Sequence, residues 1–391
     1  MRILFPTLAR FPSHEAPAIQ VANMAQAFAE LGHDVALVVP AAADGAPTAD
    51  LPADELFGFT PRFHVVTLSR TIHRGQSYLH AARIARMARD ADLVFSRNLR
   101  ACLLPALRGV PTVFEAHTLS GIDGRQDRWV LERLLHAPGL RGIVAISAAL
   151  AEDLTAVLGV PADRIIVAHD AVRPQARSAT GPGTEAGAVA ARTRSDGPPL
   201  RVGYTGSLFP GKGAEAIPEL AMRCPWAEFH VAGGPPQAAA ALAARTAASG
   251  VRNVVVHGPI APSEATRIQR SCDMLIAPFA RRIESDSGHD IARWTSPMKV
   301  FEYMASGRPI VISDLPVLRE VLRPDVDALM VPPEDLDALA RAIGRLADDP
   351  DLRRRLADSA LARVEEEFTW DIRARRTLAR FAPTDPAAVD R

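Results

Sequence analysis

Two short segments of this chain combine glycine, lysine and a helix start in a way that could hold an anion. The first is Arg201-Val-Gly-Tyr-Thr-Gly206-Ser-Leu-Phe-Pro-Gly211-Lys212-Gly213, which reads as a strand, a glycine-rich loop and then a helix. Glycines let backbone amides approach an anion, a helix start adds partial positive charge, and Lys212 supplies a point charge, so phosphate is the natural guest. The run comes close to a P-loop, G-x-x-x-x-G-K, but position 213 is Gly where that motif needs a magnesium-holding hydroxyl, and no strand ends in a matching Asp. A nucleotide-hydrolysing site is therefore disfavoured. A glycine turn with a solvated lysine is the plainer alternative.

The second segment is Trp294-Thr-Ser296-Pro297-Met298-Lys299-Val-Phe-Glu302-Tyr-Met-Ala-Ser-Gly307-Arg-Pro309. Ser296 as N-cap, Pro297 at the first helical position and Gly307 just past the end predict a helix of about ten residues. Lys299 then sits in the first turn, where the helix dipole disfavours a cation unless an anion lies against it. Glu302, three residues on, shares its face and could accept hydrogen bonds from hydroxyls beside that anion. Phosphate flanked by a diol describes a nucleotide ribose; a helix-stabilising Lys-Glu pair is the alternative.

Composition sharpens the interest of both segments. The chain has 391 residues with 45 basic and 45 acidic side chains, and only Lys212 and Lys299 among the cations are lysine. Zero net charge without long single-sign runs argues against a nucleic-acid partner, which calls for a basic stripe, and favours small molecules. Cys102, Cys224 and Cys272 are odd in number and too far apart for zinc spacing, which fits a reducing compartment. The apolar run at the N-terminus is broken by Pro6 and Arg10, too short for a signal or a span, so a cytoplasmic chain is expected.

Short β-type runs alternate with helical patterns throughout, the signature of parallel sheets covered on both faces. Ile3 to Phe5, Asp34 to Val39, Phe63 to Thr67, Leu93 to Ser96, Pro111 to Glu115, Gly142 to Ile146 and Ile165 to Ala168 read as strands of one doubly wound domain, residues 1–172. Between the first two, Pro17 to Leu31 has helical spacing and Gly32 sits where a C-cap belongs. Residues 173–199 gather Pro, Gly, Ala, Ser and Thr and read as a flexible linker. Leu200 to Thr205, Glu228 to Ala232, Val254 to His257, Met274 to Ala277, Pro309 to Ser313 and Ala328 to Val331 begin a second such domain, residues 200–365, followed by a helical tail, 366–391, expected to cross back to the first. The expected architecture is α/β, two Rossmann-like doubly wound domains facing a cleft.

The run SPMKVFEYMASGRPIVISDLPVLREVL, with YTGSLFPGKG before it and VHGPIAPSEATRIQRSCDMLIAPF between, resembles the family 4 retaining glycosyltransferases, which have the B-type glycosyltransferase fold. AIQVANMAQAFAELGHDVALV and IVAISAALAEDLTAVLGVPADRIIVAHDAV are similar to the N-terminal part of that family. The resemblance implies transfer of a hexose-type sugar from a UDP- or GDP-sugar to a saccharide, lipid-linked or small-molecule acceptor, with retained configuration and no metal or other cofactor. It matches Lys212 to the lysine on the donor diphosphate, Glu302 to the residue that holds the ribose, Pro259 and Ile260 to the base contact and His117 to a histidine near the donor sugar; joined to the anion-binding reading of the two segments, this makes Gly206, Ser207, Lys212, Pro297, Met298 and Lys299 the expected diphosphate site. Lys212, His117 and Glu302 become the catalytic set.

Three positions depart from the family pattern. Trp294 stands where the first Glu of a Glu-x7-Glu motif belongs, Ser207 where an arginine is common, and Ser13-His14-Glu15-Ala16 lacks the usual glycine pair. Lys299, Arg281, Arg282 or the acids from Glu284 to Asp290 are then candidates to take over. An epimerase on the same fold and a non-catalytic nucleotide-sugar-binding protein stay open. Asp90/Asp92, Asp325/Asp327 and Asp335/Asp337 fall at turns and element ends, where capping explains them. The basic stretch Arg70 to Arg89 leaves peripheral membrane contact open, although residues 1–172 hold 16 Arg against 17 acids.

Overall fold

The computed structural model describes residues 1–41, 53–68, 76–119, 122, 124–173, 198–284 and 288–382. Most of the linker expected at 173–199, the end of the tail, residues 70–75 of the basic stretch and Asp286 among the acids from Glu284 to Asp290 lie outside them. Contacts divide the chain into two units, Met1–Asp170 with Trp370–Arg391, and Ala171–Thr369.

The first unit is built on seven strands: β1 Arg2–Pro6, β2 Asp34–Pro40, β3 His64–Leu68, β4 Leu93–Ser96, β5 Thr112–Ala116, β6 Leu140–Ala145 and β7 Ile165–Val167. They lie in the order β3-β2-β1-β4-β5-β6-β7, and every neighbouring pair is parallel. Helices cover both faces of such a sheet, so its central strands are buried throughout rather than alternating. All four side chains of β4 are buried. Phe95 in its middle meets Phe5 of β1 edge-on at 5.0 Å and Phe28 of the helix Ala16–Glu30 at 5.3 Å. That helix ends as the sequence indicates, with Gly32 at a φ of +85°.

The last helix, Trp370–Phe381, packs in this unit although it follows the second one in sequence. Gly142 in β6 makes the contact possible, because a Cβ there would run into the ring of Phe381.

The second unit has six parallel strands, β8 Leu200–Thr205, β9 Ala227–Ala232, β10 Val254–Gly258, β11 Met274–Ala277, β12 Ile310–Ser313 and β13 Leu329–Val331, in the order β10-β9-β8-β11-β12-β13. In each sheet the order reverses at the first strand, β1 or β8. Loops leaving opposite sides of that reversal open a crevice at the C-terminal strand ends, where open α/β sheets take ligands.

One helix begins later than its caps suggest. It spans Met298–Ala305, eight residues, with Pro297 in extended conformation as the N-cap. The first turn closes on the Pro297 carbonyl, which accepts from Val300 N at 2.9 Å, so Lys299 is the second helical residue rather than the third. No helix among the described residues is long and apolar enough to cross a membrane. Within the basic stretch, the helix Gln76–Met87 turns His80, Ile84 and Ala85 inward, so that face is already covered.

Candidate functional site

Strand β8 delivers Tyr204 and Thr205 buried at its end, and the chain then turns at Gly206 with a φ of +127°. That conformation belongs to glycine, and a side chain there would press on Lys299 Cε at 3.1 Å. Gly211 and Gly213 also have positive φ and lie tight against the carbonyls of Arg282 and Pro278.

The loop amides do not all await an anion. The Glu215 carboxylate accepts from Gly211 N at 2.9 Å and from Gly213 N at 3.1 Å, one bond on each side of Lys212. An internal carboxylate already holds these two amides, which fixes the backbone that presents Lys212.

Tyr204 joins the two lysine segments. Its hydroxyl accepts from Lys299 Nζ at 2.8 Å and donates to the Ser207 carbonyl at 2.6 Å, with the Lys212 carbonyl 3.1 Å away. Lys299 is 8 % exposed. Its Nζ lies 4.0 Å from the centre of the Tyr204 ring and 5.0 Å from that of Phe279, and Lys212 Nζ is 6.0 Å from the same Phe279 ring. Aromatic faces attract cations and offset part of the cost of burying them. Burial, reinforced by the neighbouring Lys212, still pushes the Lys299 amine well below its usual range.

Glu302 does not pair with Lys299. Gln269 Nε2 donates to Glu302 Oε2 at 3.4 Å and to Thr205 Oγ1 at 2.8 Å, and burial raises the Glu302 carboxyl above its ordinary value against the pull of Gln269 and Lys299. The simple helical ion pair is thereby replaced by a network anchored on β8. Tyr303 completes it, accepting from Thr205 N at 2.7 Å and donating to Thr205 O at 3.1 Å.

Pro259 and Ile260 follow β10. The preceding Gly258 carbonyl accepts from Gly233 N at 2.7 Å, and Gly233 lies against the Gly206 carbonyl, so the base-site candidates stand in the same row of strand ends as the lysine loop. Pro259 is exposed, whereas Ile260 packs on the core. Of the candidates to take over from the three departures, Lys299 is at the site, Arg281 meets Glu334 at 3.3 Å, Arg282 meets Glu284 at 3.5 Å, and Asp290 accepts from the amides of Ile283 and Ala292. Trp294 is half-buried.

His117 belongs to the first unit, just past β5, with Nε2 3.4 Å from Glu115 Oε2. Glu115 has no exposure and is held by Arg373 and by Gln20 Nε2 at 3.0 Å, while Gln20 Oε1 accepts from Arg97 at 3.1 Å. Burial alone would raise the Glu115 carboxyl, but Arg373 and His117 outweigh it and hold it far below the carboxylate range. Burial and Arg97 lower His117 to about 4, so its imidazole is neutral at neutral pH. Burial raises Asp170, beside the same guanidiniums, to about 6. A cavity of about 500 Å³ opens here, between the C-terminal ends of β1, β4 and β5.

Sequence reading found His117 but missed this cluster. Glu115 and Arg373 are 258 residues apart, and neither has a local pattern around it.

The aspartate pairs are structural. Asp335 caps the helix Leu336–Asp348, Asp92 accepts from Arg2 N, and Asp327 is buried against Arg323 and Ser359. The three cysteines are buried thiols. No group of three His, Cys, Asp or Glu able to hold a metal occurs among the described residues.

A glycosyl transferases group 1 model matches residues 199–349, and a glycosyltransferase family 4 model matches residues 18–176. The chain is 46 % identical to an MMP alpha-(1->4)-mannosyltransferase of Mycolicibacterium hassiacum over 79 residues, 20 % of this chain and 19 % of that protein. It is 28 % identical over 285 residues to a D-inositol 3-phosphate glycosyltransferase of Nocardia farcinica, 67 % of this chain and 58 % of that one. The matches thus span less than two thirds of these curated relatives. Anabaena HepE, solved with UDP and glucose, superposes with a TM-score of 0.71 at 15 % identity, covering 98 % of this chain and 100 % of that one. A glycosyltransferase from Rickettsia africae gives 0.71 at 14 % identity, covering 97 % of each. Two parallel-sheet α/β units with the strand reversals described above, together with family models that take in most of both, make this chain a member of the group 1, family 4 glycosyltransferases.

Proposed function

We propose that the protein transfers a hexose-type sugar from a nucleotide-sugar donor to an acceptor hydroxyl, with retention and without a metal. The observation that carries this reading is the convergence of the chain's two lysines on one aromatic ring, Phe279, just past β11. Two cations drawn to one ring repel each other, a cost that Glu302 and Glu215 offset in part and a bound anion would offset further, and the leaving diphosphate of such a donor is an anion of that kind. HepE, similar in fold, has been solved with UDP and with UDP-glucose.

In this reading Lys212 and Lys299 compensate the charge that builds on the diphosphate, helped by the main-chain N–H groups of Ser207 and Met298, while Gly206, whose N–H serves the Ala232 carbonyl, and Pro297, which has none, shape the backbone around it. An ammonium has three donors, and Tyr204 uses one from Lys299, leaving two for phosphate oxygens. Preorganised donors of this kind contribute roughly 10²–10³ each in rate. Glu302, fixed by Gln269, accepts from the ribose hydroxyls, and Pro259 and Ile260 border the base. The neutral His117 contacts the donor sugar. The acceptor hydroxyl attacks from the face the diphosphate leaves, and a phosphate oxygen takes its proton. Saccharides, lipid-linked glycans and small hydroxylated molecules are the acceptor classes.

Replacing Lys212 by Ala tests the reading. Nucleotide affinity and turnover should both collapse while the melting temperature holds; unchanged affinity for UDP and for GDP would overturn it. Trp294 and Ser207 favour, as a second reading, a protein that binds nucleotide sugars without transferring them. That reading requires donor binding with no product from any acceptor or from water.

A further inference from the structure

The repulsion between the chain's two lysines has a second remedy besides a bound anion, which is the loss of a proton. Lys299 is placed for it. Its stem passes over Gly206, where a Cβ would come within 3.1 Å of Cε and 3.5 Å of Nζ, and the residue is buried. Nζ has its hydrogen bond with the Tyr204 hydroxyl at 2.8 Å, and no carboxylate among the described residues is within ion-pair distance of it.

The groups around Nζ are already committed. Tyr204, from β8, turns its own proton to the Ser207 carbonyl. Glu215 accepts from the Gly211 and Gly213 amides, Glu302 from Gln269, and the Tyr303 hydroxyl serves Thr205. Lys212 adds a like charge, and the start of the helix Met298–Ala305, in which Lys299 is the second residue, adds partial positive charge. A buried ammonium calls for three acceptors and an opposite charge. Here it meets one hydroxyl oxygen and a second cation. Burial and Lys212 accordingly outweigh the pull of Glu302 and Glu215 on the Lys299 proton.

We propose that Lys299 stands as a neutral amine in the empty site and becomes an ammonium only with an anion beside it, so that each diphosphate bound takes up a proton at Nζ and each diphosphate released gives it back. The identity of the anion rests on the donor reading; the proton does not. The proton comes from water or buffer, settles on the Nζ lone pair and leaves by the same route, so sugar transfer neither consumes nor produces it. Linkage makes the effect reciprocal, the anion strengthening the hold on the proton and the proton the hold on the anion. The second positive charge then exists only while phosphate oxygens are there to share it.

With two lysines in the whole chain, the state of Nζ can be read directly. The full chain labelled with carbon-13 at lysine Cε gives two methylene NMR signals, and Lys212→Arg, which keeps the neighbouring charge, identifies that of Lys299 as the one that persists. In the empty wild type this signal should titrate more than about one pH unit below the ordinary lysine range, and it should move back up once UDP or pyrophosphate is bound. Calorimetry at about pH 8.5, where a terminal phosphate is already ionised, should show close to one proton taken up per anion by the wild type and none by Lys299→Met. Wild-type affinity for UDP should fall about tenfold per pH unit above the empty-site midpoint, and that of Lys299→Met should be weaker and flat. A Lys299 signal that already reads as an ammonium throughout the ordinary range in the empty chain would overturn the proposal, as would its failure to move with either anion. If pyrophosphate moves it and UDP does not, the proton coupling stands and the nucleotide reading falls; if UDP binds without proton uptake, the reverse holds.

Discussion

Lys299 Nζ lies 2.8 Å from the Tyr204 hydroxyl, and the same hydroxyl is bonded to the Ser207 carbonyl of the loop that presents Lys212. One phenol oxygen therefore sets the separation of the chain's two lysines. Because the strand β8 fixes Tyr204, a change at that oxygen is felt at both cationic groups.

Tyr204→Phe keeps the ring and its cation–π contact and removes the hydroxyl. Stability should fall by about 1–2 kcal/mol, since the Ser207 carbonyl and Lys299 Nζ both lose a partner. Affinity for a nucleoside diphosphate should fall about tenfold with it. Calorimetric titration with UDP and GDP beside a denaturant curve checks both; unaltered affinity would show that the lysine spacing is set elsewhere.

Arg373→Met leaves Glu115 buried without its guanidinium. Breaking such a pair from one side costs about 3–5 kcal/mol, because a charge stays uncompensated. Adding Glu115→Gln should recover a large part of that loss, a coupling that a double-mutant cycle measures directly.

The pH dependence of stability contains two opposing contributions from one cluster. His117 titrates near 4 in the folded chain against 6.5 otherwise, so between those values the unfolded state binds the extra proton and stability rises with pH. Asp170 titrates near 6 against 3.8, so over much of the same window the folded state holds the extra proton and stability falls with pH. Their effects nearly cancel in the wild type. Asp170→Asn should expose the His117 contribution as a loss on the order of 3 kcal/mol on acidification from pH 6.5 to 4, relative to wild type. His117→Gln should change the slope in the opposite sense, and parallel slopes for all three proteins would contradict the assignment.

Gly142→Ala places a methyl group where the Phe381 ring lies. Overpacking of this kind costs about 1–3 kcal/mol. The cost should appear as release of the helix Trp370–Phe381, seen as faster amide exchange there, and Phe381→Leu in the same chain should relieve part of it, the remainder coming from the Arg164 carbonyl oxygen, which the new methyl group also meets.

Much of this molecule is written locally. The strand runs, from Ile3–Phe5 through Ala328–Val331, are short apolar segments between turn residues, and each becomes a strand within one or two residues of its sequence bounds. The parallel α/β architecture follows from their alternation with helical periods, and the two lysine segments stand out because glycines and caps act on adjacent residues. The helix at Met298 starts one residue late because cap residues constrain a boundary without choosing which carbonyl closes the first turn.

What the tertiary structure decided is where charge goes. Glu215 takes the Gly211 and Gly213 amides, Tyr204 rather than Glu302 receives Lys299, and Arg373 crosses 258 positions of sequence to neutralise Glu115. None of these has a period or a spacing, since a buried charge needs a partner in space and any segment can bring one.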